Sequence, residues 1–388
     1  MPDNTVNESI HFAVCNFVYL DDNYNLHFPE GTKLGYDAPA EIRELSDPHW
    51  FTFQPVHPFI QHIIAIIYFL LFSVCVSGNT MVIAIFLRPA ARRKPSSFLV
   101  ASLAFSDIIM IITQAPPLFL GALFSKYWPF GKTWCQIYAF AGGVAGCTSI
   151  WLVIFIGYDL YMHLSKRAQK QRGVTGKQAC SMVIFSFLYS AATNCPPFFG
   201  WGAFKPEGML ISCSFDYLTR TPSNRAFVVY LTFFDFFLPF MPLMYLYFKI
   251  CLEVLGYYHK QNKVMNTLGM PKHVVKRLTK YPMSEVHISR LCFTVVFVWL
   301  LAWTPYTVVT LVGQFGNQRL ITPLVSQFPA LFAKTASCLN PLLYTACHPN
   351  FSKKKIQKER EEEPYEYDGV SGHQEIPYDP EGTASVQA

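Results

Sequence analysis

The amino-acid sequence predicts an all-α fold, a bundle of seven helices that cross a membrane. Three observations support this expectation: the composition of the chain, the spacing of its apolar segments and the positions of its charges. Charged residues make up 14% and apolar residues 52% of the 388 residues, whereas soluble domains contain about 25% charged residues. Because a charge at bilayer depth is strongly destabilising, long uncharged segments with charges clustered between them are typical of a polytopic membrane protein.

Seven segments are apolar over the roughly 20 residues that a helix needs to cross a bilayer. They cover residues 60–86, 97–123, 134–161, 178–199, 227–252, 288–313 and 324–346. Each segment is therefore predicted to form one transmembrane helix, and the short connections between them imply a single bundle.

Basic residues are concentrated in alternate connections between these segments. The first, third and fifth connections and the start of the carboxyl-terminal tail contain Arg88, Arg92, Arg93 and Lys94; Lys166, Arg167, Lys170, Arg172 and Lys177; Lys260, Lys263, Lys272, Lys276, Arg277 and Lys280; and Lys353, Lys354 and Lys355. Because basic loops stay on the cytoplasmic side, the carboxyl terminus is predicted to be cytoplasmic and the amino terminus extracellular. The net charge of +6 therefore reflects membrane orientation, and we expect a lipid bilayer and no nucleic acid as partner.

This orientation divides the chain into three parts. We expect an extracellular segment at 1–57, a transmembrane domain at 58–348 and a cytoplasmic part at 349–388. A basic and then acidic run favours a short amphipathic helix at 350–358, followed by disorder. The extracellular segment contains a sequon at Asn7, a candidate for glycosylation. Its first residues lack the features of a cleavable signal peptide, so the first helix is expected to direct insertion.

The sequence also argues against several other classes of protein. The 11 cysteines include no CxxC pair and no histidine spacing suited to zinc, so we expect no metal site. No set of residues suggests a catalytic centre, and we expect no enzymatic activity. Neither an inverted repeat nor a ring of charges is present, which argues against a transporter or a channel.

Lys334 lies near the middle of the seventh apolar segment. About ten residues, or roughly 15 Å of helix, separate it from either end, so its amine cannot reach water by snorkelling. One interpretation is a salt bridge to a buried acid such as Asp107. The other is a Schiff-base lysine, because a buried amine can act as a nucleophile toward an aldehyde.

Several short motifs occur in order along the chain. They are Gly78-Asn79, Leu103-Ala104-Phe105-Ser106-Asp107, Ala302-Trp303-Thr304-Pro305-Tyr306, Asn340-Pro341-Leu342-Leu343-Tyr344 with Lys334 six residues before it, and His348-Pro349-Asn350-Phe351. In this combination the chain resembles the opsins, a branch of the rhodopsin-like G-protein-coupled receptors, over about residues 50–355. The resemblance is closest to arthropod-type, Gq-class visual opsins.

The resemblance implies a light-sensing receptor that carries retinal, 11-cis in the dark, as a protonated Schiff base on Lys334. It implies a multi-pass protein of the plasma or photoreceptor membrane, with a heterotrimeric G protein, of the Gq class, and arrestin as partners. It also implies a disulfide between Cys135 and Cys213, which both lie in segments predicted to face an oxidising compartment. Two unpaired thiols are the alternative.

A buried positive charge needs an anion nearby. Glu207, six residues before Cys213, matches the loop position that supplies this counterion in invertebrate opsins, and a solvated loop glutamate is the alternative. Tyr138 occupies the position of the counterion in vertebrate visual pigments, where a tyrosine cannot serve as an anion near neutral pH. Asp235 is a second acid, in an apolar segment and without a predicted partner. We expect it to tune absorption or to compete as counterion.

The walls of the expected pocket include small and aromatic residues. Gly142, Gly143 and Gly146 leave one side of the third helix without bulk, which suits either a rigid polyene or close packing of a neighbouring helix. Trp303 and Tyr306 offer aromatic surface opposite, and Phe236 is placed with them.

Inward-facing polar residues form a further predicted group. The resemblance implies a network that rearranges on activation and consists of Asp107, Asn79, Ser149, Asn340, Tyr247 and Tyr344. A purely structural network is the alternative.

The end of the third segment departs from the family. Opsins have Asp-Arg-Tyr, and this chain has Asp159-Leu160-Tyr161. The family's arginine pairs with the neighbouring acid in the dark and contacts the G protein in the active state, and a leucine can do neither. We therefore expect Asp159, and Glu285 on the sixth segment, to lack their usual partner. The alternative function is accordingly a retinal photoisomerase or a non-signalling retinal-binding opsin.

Overall fold

The computed structural model describes residues 19–20, 26–27, 33–88, 95–125, 127–165, 173–268 and 282–347. Only the backbone is described at 19–20, 26–27, 163–165, 257–258, 260–261, 264–265, 268, 282–293, 295 and 342–347. Asn7, the amphipathic helix expected at 350–358, and the side chains of Glu285 and Tyr344 therefore lie outside the described residues.

Seven long helices make up most of the described chain, and they confirm the predicted all-α class. They are α1 (Pro58–Phe86), α2 (Pro95–Leu120, continued by a π-helical turn at Gly121–Ser125), α3 (Gly131–Ser165), α4 (Gly176–Asn194), α5 (Pro222–Leu231, a π-helical turn at Thr232–Phe237, then Leu238–Leu268), α6 (Pro282–Phe315) and α7 (Pro323–Cys347). Every predicted segment corresponds to one of these helices.

Local sequence explains where the helices begin. Five of them, α1, α2, α5, α6 and α7, have proline as their first residue, where its fixed φ is favourable and no amide hydrogen is needed. The α4 helix begins with a capping box, in which the Gln178 amide donates to the Thr175 hydroxyl (3.3 Å) and the Thr175 amide donates to the Gln178 side chain (2.9 Å).

Some helix ends differ from the predicted boundaries. The fourth segment was expected to be helical to residue 199, but α4 ends at Asn194 and a 3-10 turn follows at Pro196–Phe199. Pro196 and Pro197 have no amide hydrogen with which to continue the α-helical hydrogen bonds. In contrast, α5 continues to Leu268 and α6 begins at Pro282. The apolar pattern predicts the part of a helix inside the membrane, whereas polar residues extend the helix beyond it.

Five helical stretches in the described part are long and apolar enough to cross a membrane: Pro58–Phe86, Pro95–Ser125, Gly131–Met162, Pro222–Gly256 and Val296–Phe315. The other two helices, α4 and α7, contain more polar residues, such as Gln178 and Ser181 on α4 and Lys334 on α7. They are part of the bundle through their packing, since α4 contacts α2 and α3, and α7 contacts α1, α2 and α6.

The bundle is arranged around α3, which contacts α2, α4 and α5. Between these helices and α6 lies a large apolar cluster that includes Leu103, Leu152, Leu243, Ile250 and Trp299. Burial of such side chains is the main favourable contribution to packing between these helices.

An antiparallel hairpin, which we call the lid hairpin, covers one end of the bundle. Its strands are β3 (Phe204–Glu207) and β4 (Ser212–Phe215), and Pro206 pairs with Cys213. Earlier in the chain, β1 (Tyr19–Leu20) and β2 (Leu26–His27) form a separate pair. A disulfide joins Cys213 to Cys135 on α3, with 5.4 Å between the Cα atoms, as the resemblance implied. We call this end of the molecule the disulfide end.

The segment 33–53 packs over the lid hairpin. It contains a short helix (Ala40–Leu45) and a 3-10 helix (Pro48–Thr52). Trp50 is 1% exposed and belongs to an apolar cluster with Leu210 and Tyr217. An ion pair at 2.7 Å joins Lys205 of β3 to Asp216, and Asp47 lies 3.8 Å from the same ammonium group. These contacts fix the lid hairpin over the interior of the bundle.

Candidate functional site

A cavity lies inside the bundle beneath the lid hairpin. Residues of α2, α3, α4, α5, α6, α7 and both strands of the hairpin line it. Most are apolar or aromatic, but Lys334, Glu207 and Asp235 also reach it. A largely apolar cavity with a few converging polar groups is the usual form of a small-molecule site.

Lys334 brings a buried amine into the cavity from the middle of α7. The residue is 6% exposed, and its nitrogen lies 5.6 Å from the centre of the Tyr68 ring on α1. At this distance an aromatic face stabilises a cation. Among the described residues, the amine donates no hydrogen bond and forms no direct ion pair. The nitrogen is therefore free to react with, or bind, a group in the cavity.

Glu207 is the acid that the lid hairpin contributes. It is 6% exposed, so it is not a solvated loop residue, and its Oε2 atom accepts a hydrogen bond from the Tyr217 hydroxyl (3.1 Å). Burial raises the pKa of this carboxyl group, while the positive charge of Lys334 and the hydrogen bond from Tyr217 act in the opposite direction. Its negative charge thus depends on a positive partner in the same cavity.

Tyr138 holds α2 and α3 together beside these two charges. Its hydroxyl donates to the Gln114 carbonyl oxygen (3.2 Å), and the Gln114 side-chain amide donates to the Tyr138 carbonyl oxygen (2.7 Å). This reciprocal pair satisfies both side chains in a buried position. The neutral Tyr138 therefore shapes the cavity wall.

Aromatic side chains from α5 and α6 form another part of the wall. Trp303, Tyr306 and Phe236 all line the cavity. The Tyr306 hydroxyl is hydrogen-bonded to Ser214 of the lid hairpin, and Phe236 stacks on Trp299 with 5.1 Å between ring centres. These rings are fixed by their neighbours, as a rigid binding wall requires.

The three glycines of α3 allow close approach of side chains from other helices. A Cβ atom at Gly142 would lie 2.8 Å from the Gln114 side chain, and one at Gly146 would lie 2.5 Å from the Trp303 ring. A Cβ atom at Gly143 would collide with Asn194 of α4. Gly142 and Gly143 also line the cavity, so close packing and a smooth wall occur together.

Asp235 is partly buried where α3, α4 and α5 meet, in the π-helical turn of α5. Its Oδ2 atom accepts a hydrogen bond from the Asn194 side chain (3.0 Å), and its Oδ1 atom lies 3.5 Å from the Cys147 sulfur. The sequence predicted no partner for this acid, and the structure supplies Asn194 and Cys147. The sequence could not reveal the partner, because the contact depends on how α4 is rotated against α5.

Asp107 is the centre of a polar group below the cavity. Its two carboxyl oxygens accept hydrogen bonds from Ser149 (2.9 Å) and Asn340 (2.7 Å). Asn79 donates instead to the Ser337 carbonyl oxygen of α7 (3.2 Å). Asp107 is thus satisfied by α3 and α7, and the salt bridge considered between Asp107 and Lys334 is not formed.

The opposite end of the bundle, which we call the Asp159 end, has a different character. Asp159 is 5% exposed and accepts a hydrogen bond from the Val174 backbone amide (3.2 Å). The usual arginine partner is absent, as expected, but the connection before α4 supplies a backbone donor to Asp159 instead. This bond ties the end of α3 to the start of α4.

Leu160 and Tyr161 pack against the large apolar cluster between α3, α5 and α6. Tyr247 belongs to this cluster, and its hydroxyl donates to the Val153 carbonyl oxygen (3.5 Å). A Cβ atom at Gly157 would lie 3.0 Å from the Tyr247 ring. Leu160 thus continues an apolar surface where the family has a guanidinium group.

Comparison with known proteins identifies the family. The model of the 7 transmembrane receptor (rhodopsin family) matches residues 78–344. A rhodopsin of Mizuhopecten yessoensis described as Gq-coupled is 36% identical over 87% of this chain and 67% of its own length. A compound eye opsin of Hemigrapsus sanguineus is 34% identical over 84% of this chain and 85% of its own. The crystal structure of squid rhodopsin superposes with a TM-score of 0.70 at 29% identity, covering 81% and 89% of the two chains.

The chain belongs to the rhodopsin family of seven-transmembrane receptors, on its invertebrate opsin branch. It is a light-sensing membrane receptor and not an enzyme. Membership also implies a retinal chromophore. The residues present suit that group, since the opsin places a buried amine, without a direct partner in the described part of the chain, on α7 in an aromatic cavity that also holds a buried acid.

Several residues of the opsin site were not predicted from the sequence. Gln114, Asn194 and Ser214 line the cavity and hold Tyr138, Asp235 and Tyr306 in place. Polar residues within apolar segments are an available signal for Gln114 and Asn194. For Ser214, in a short loop strand, the sequence offers no comparable signal.

Proposed function

We propose that this opsin carries retinal, 11-cis in the dark, on Lys334 as a protonated Schiff base with Glu207 as counterion. The observation that carries the proposal is the Lys334 amine, which is buried in the cavity without a direct partner among the described residues. A buried amine in this setting needs a task inside the bundle.

When bound, retinal supplies an aldehyde for attachment and a polyene that isomerises in light. Lys334 contributes the nitrogen, and the face of Tyr68 stabilises its positive charge. Glu207 contributes the balancing negative charge, oriented by the hydrogen bond from Tyr217. The lid hairpin, held by the disulfide between Cys135 and Cys213, separates both groups from bulk solvent.

Asp235 is proposed to tune absorption from the far side of the cavity. Its neighbour Cys147 lies nine residues after Tyr138 on α3, or roughly 13 Å along the helix. The hydrogen bond from Asn194 and the contact with Cys147 hold Asp235 on α4 and α3. Asp235 therefore lies well away from Tyr138 and the two charges beside it. This separation favours an influence on the polyene over a role as counterion.

We propose a heterotrimeric G protein of the Gq class, and arrestin, as partners at the Asp159 end. The likeness to the Gq-coupled rhodopsin of Mizuhopecten yessoensis supports the subtype. The Asp107 group, with Ser149 and Asn340, would rearrange on activation. Glu285 and Tyr344 are proposed to take part as in the family.

The orientation follows from the basic connections. We propose that the Asp159 end and the carboxyl terminus face the cytoplasm and that the disulfide end faces outward, in the plasma or photoreceptor membrane. Cys135–Cys213 then lies in an oxidising compartment. On the same side, Asn7 is proposed to be glycosylated.

A retinal photoisomerase or non-signalling opsin is the second candidate, and Leu160 is the observation that favours it. The two are separated by reconstituting the protein with 11-cis-retinal, recording its spectrum in the dark, and then measuring nucleotide exchange on a Gq-class protein in dark and light. A visible band with light-dependent exchange supports the receptor. A visible band that bleaches without exchange supports the second candidate.

A further inference from the structure

The hydroxyl group of Tyr68 is a buried polar atom beside both charges of the cavity. Tyr68 is 0% exposed, and the Lys334 nitrogen lies 5.6 Å from its ring centre. The charge of Glu207 also acts on it. Within the described part of the chain, its hydroxyl has no hydrogen-bond partner. Since nearly all buried polar groups have a partner, this hydroxyl requires an explanation.

The hydroxyl groups of the other three tyrosines near Glu207 already form hydrogen bonds. Tyr217 donates to the Glu207 carboxylate (3.1 Å), Tyr138 donates to a backbone carbonyl oxygen on α2 (3.2 Å), and Tyr306 is bonded to the lid hairpin. Tyr68 is therefore the member of this group with a hydroxyl available to Lys334.

The two charges also need a connection. Lys334 and Glu207 interact electrostatically and line the same cavity, but no direct ion pair joins them among the described residues. A hydroxyl group can accept one hydrogen bond while it donates another, and a bound water extends its reach at little loss of strength. A tyrosine and one water can thus join a nitrogen donor to a carboxylate acceptor.

We propose that the Tyr68 hydroxyl links the Lys334 nitrogen to the Glu207 carboxylate through one bound water molecule. This inference rests on the proposed attachment of retinal to Lys334. Tyr68 is a positioning residue: it accepts from the nitrogen side, donates toward the carboxylate, and so favours the charged form of both. Its ring contributes separately through the contact with the Lys334 cation.

Glu207 of the lid hairpin interacts with Lys334 and with titratable groups from several elements. These groups are Tyr68 of α1, Tyr138 of α3, Tyr217 after the lid hairpin, and Tyr306 of α6. Replacing Tyr68 by phenylalanine removes one hydroxyl from this group and keeps the ring. Any change in titration then reports the hydroxyl alone.

The first test compares Tyr68→Phe with the unchanged protein, both carrying retinal. The pH at which the visible band gives way to an ultraviolet band is expected to fall by about one to two pH units, the equivalent of one hydrogen bond to a charged group. Tyr189→Phe is the matched control, since its hydroxyl donates to the Phe234 carbonyl oxygen (2.8 Å) between α4 and α5. The control should titrate as the unchanged protein does, and the same result for Tyr68→Phe overturns the inference.

A second measurement needs no retinal. Reductive methylation with formaldehyde and cyanoborohydride labels uncharged lysine nitrogens, and mass spectrometry of the peptide that contains Lys334 follows labelling against pH. In Tyr68→Phe, half-maximal labelling is expected about one to two pH units lower. An unchanged profile argues against the link even if the variant forms no pigment. If the unchanged protein itself gives no visible band, the proposed function fails instead.

Discussion

The disulfide end and the Asp159 end of this opsin are held together by different kinds of contact. At the disulfide end, directional polar contacts predominate: Lys205 pairs with Asp216 at 2.7 Å, and the Arg220 guanidinium donates to the Gly313 and Gly316 carbonyl oxygens at 3.0 and 2.5 Å. At the Asp159 end, the described side chains around Leu160 form an apolar cluster, with the Asp159 bond to the Val174 amide beside it.

The difference follows from what each end has to do. Hydrogen bonds and ion pairs fix distances and angles, which suits a cavity in which a cation and a carboxylate must keep their separation. Apolar contacts have no preferred direction, so helices in such contact can shift with little change in energy. We infer that the balance between inactive and active states at the Asp159 end depends on packing more than on an ionic latch.

The largest expected effect comes from removing the amine. Lys334→Ala should abolish covalent retinal binding while the protein remains folded, because no other lysine lines the described cavity. Lys249→Ala is the control: Lys249 also lies 5.6 Å from a tyrosine ring, that of Tyr245, but on α5 away from the cavity. The measurement is mass spectrometry of the protein after the Schiff base has been reduced and the protein denatured. A surviving adduct in Lys334→Ala would show that the attachment site lies elsewhere.

Removing the carboxylate tests the other half of the charge pair. In Glu207→Gln, the positive charge on the Lys334 nitrogen loses its balancing anion, so the nitrogen gives up its proton at a lower pH. Loss of a buried partner commonly destabilises by about 3–5 kcal/mol, which corresponds to a midpoint lower by about two to four pH units. Absorption at neutral pH should therefore move to the ultraviolet, as a pH titration of the spectrum will show.

Asp235→Asn separates the two candidate counterions. We expect this variant to keep its visible band over the same pH range and to shift its wavelength only slightly, because Asp235 is held by Asn194 and Cys147. If Glu207→Gln keeps its band and Asp235→Asn loses it, the assignment of Glu207 is wrong.

The sequence predicted the fold because the bilayer restricts it so strongly. A span must be helical and apolar over about 20 residues, so the seven segments, the depth of Lys334 and the loop charges can all be read without a structure. The disulfide between Cys135 and Cys213 was predicted from the resemblance to the opsins. These features depend on position along the chain and little on how helices rotate.

The contacts between helices could not be predicted in the same way. The bond from Asn194 to Asp235 and the reciprocal pair of Gln114 and Tyr138 depend on rotation and axial shift between neighbouring helices, which apolar composition does not specify. The lid hairpin has strands of four residues, too short for an alternating pattern to stand out. The bond from the Val174 amide to Asp159 could not be predicted either, because a backbone donor leaves no trace in residue type.

Restoring the family's arginine should change coupling by a smaller amount. Leu160→Arg is expected to raise the ratio of light to dark nucleotide exchange by about five-fold, the lower end of usual allosteric couplings. The guanidinium would pair with Asp159 in the dark and donate to G-protein carbonyl oxygens in the light, and both effects widen the ratio. Leu160 is only partly buried, so the longer side chain can extend its charge toward water.

Leu160→Gln is the matched control for this change, since glutamine is polar without a charge. It should leave the ratio close to that of the unchanged protein. Were Leu160→Arg also to leave the ratio unchanged, with strong exchange already present in the unchanged protein, the apolar cluster alone would be sufficient for coupling. The difference between the two ends would then remain, but coupling to the G protein would not require an arginine at position 160.

The smallest expected effect concerns the ion pair of the disulfide end. Lys205→Met keeps the apolar stem and removes the ammonium group from Asp216 and Asp47, but Asp216 retains hydrogen bonds from the Leu218 and Thr219 amides (3.0 and 2.9 Å). The expected loss is therefore about 1 kcal/mol, a fall of a few degrees in the temperature of thermal bleaching. Because salt screens such a pair, raising the ionic strength should weaken the unchanged protein and reduce its advantage over the variant.

Lys132→Met, which alters an exposed side chain on the same end, should cause neither the fall nor the altered response to salt. If Lys205→Met bleaches at the same temperature as the unchanged protein at every ionic strength, the lid hairpin is held by the disulfide and by burial of Trp50 and Leu210 alone. Polar contacts would then matter at the disulfide end for the position of Lys334 and Glu207 and not for stability. The disulfide end would then differ from the Asp159 end only in the polar groups of the cavity.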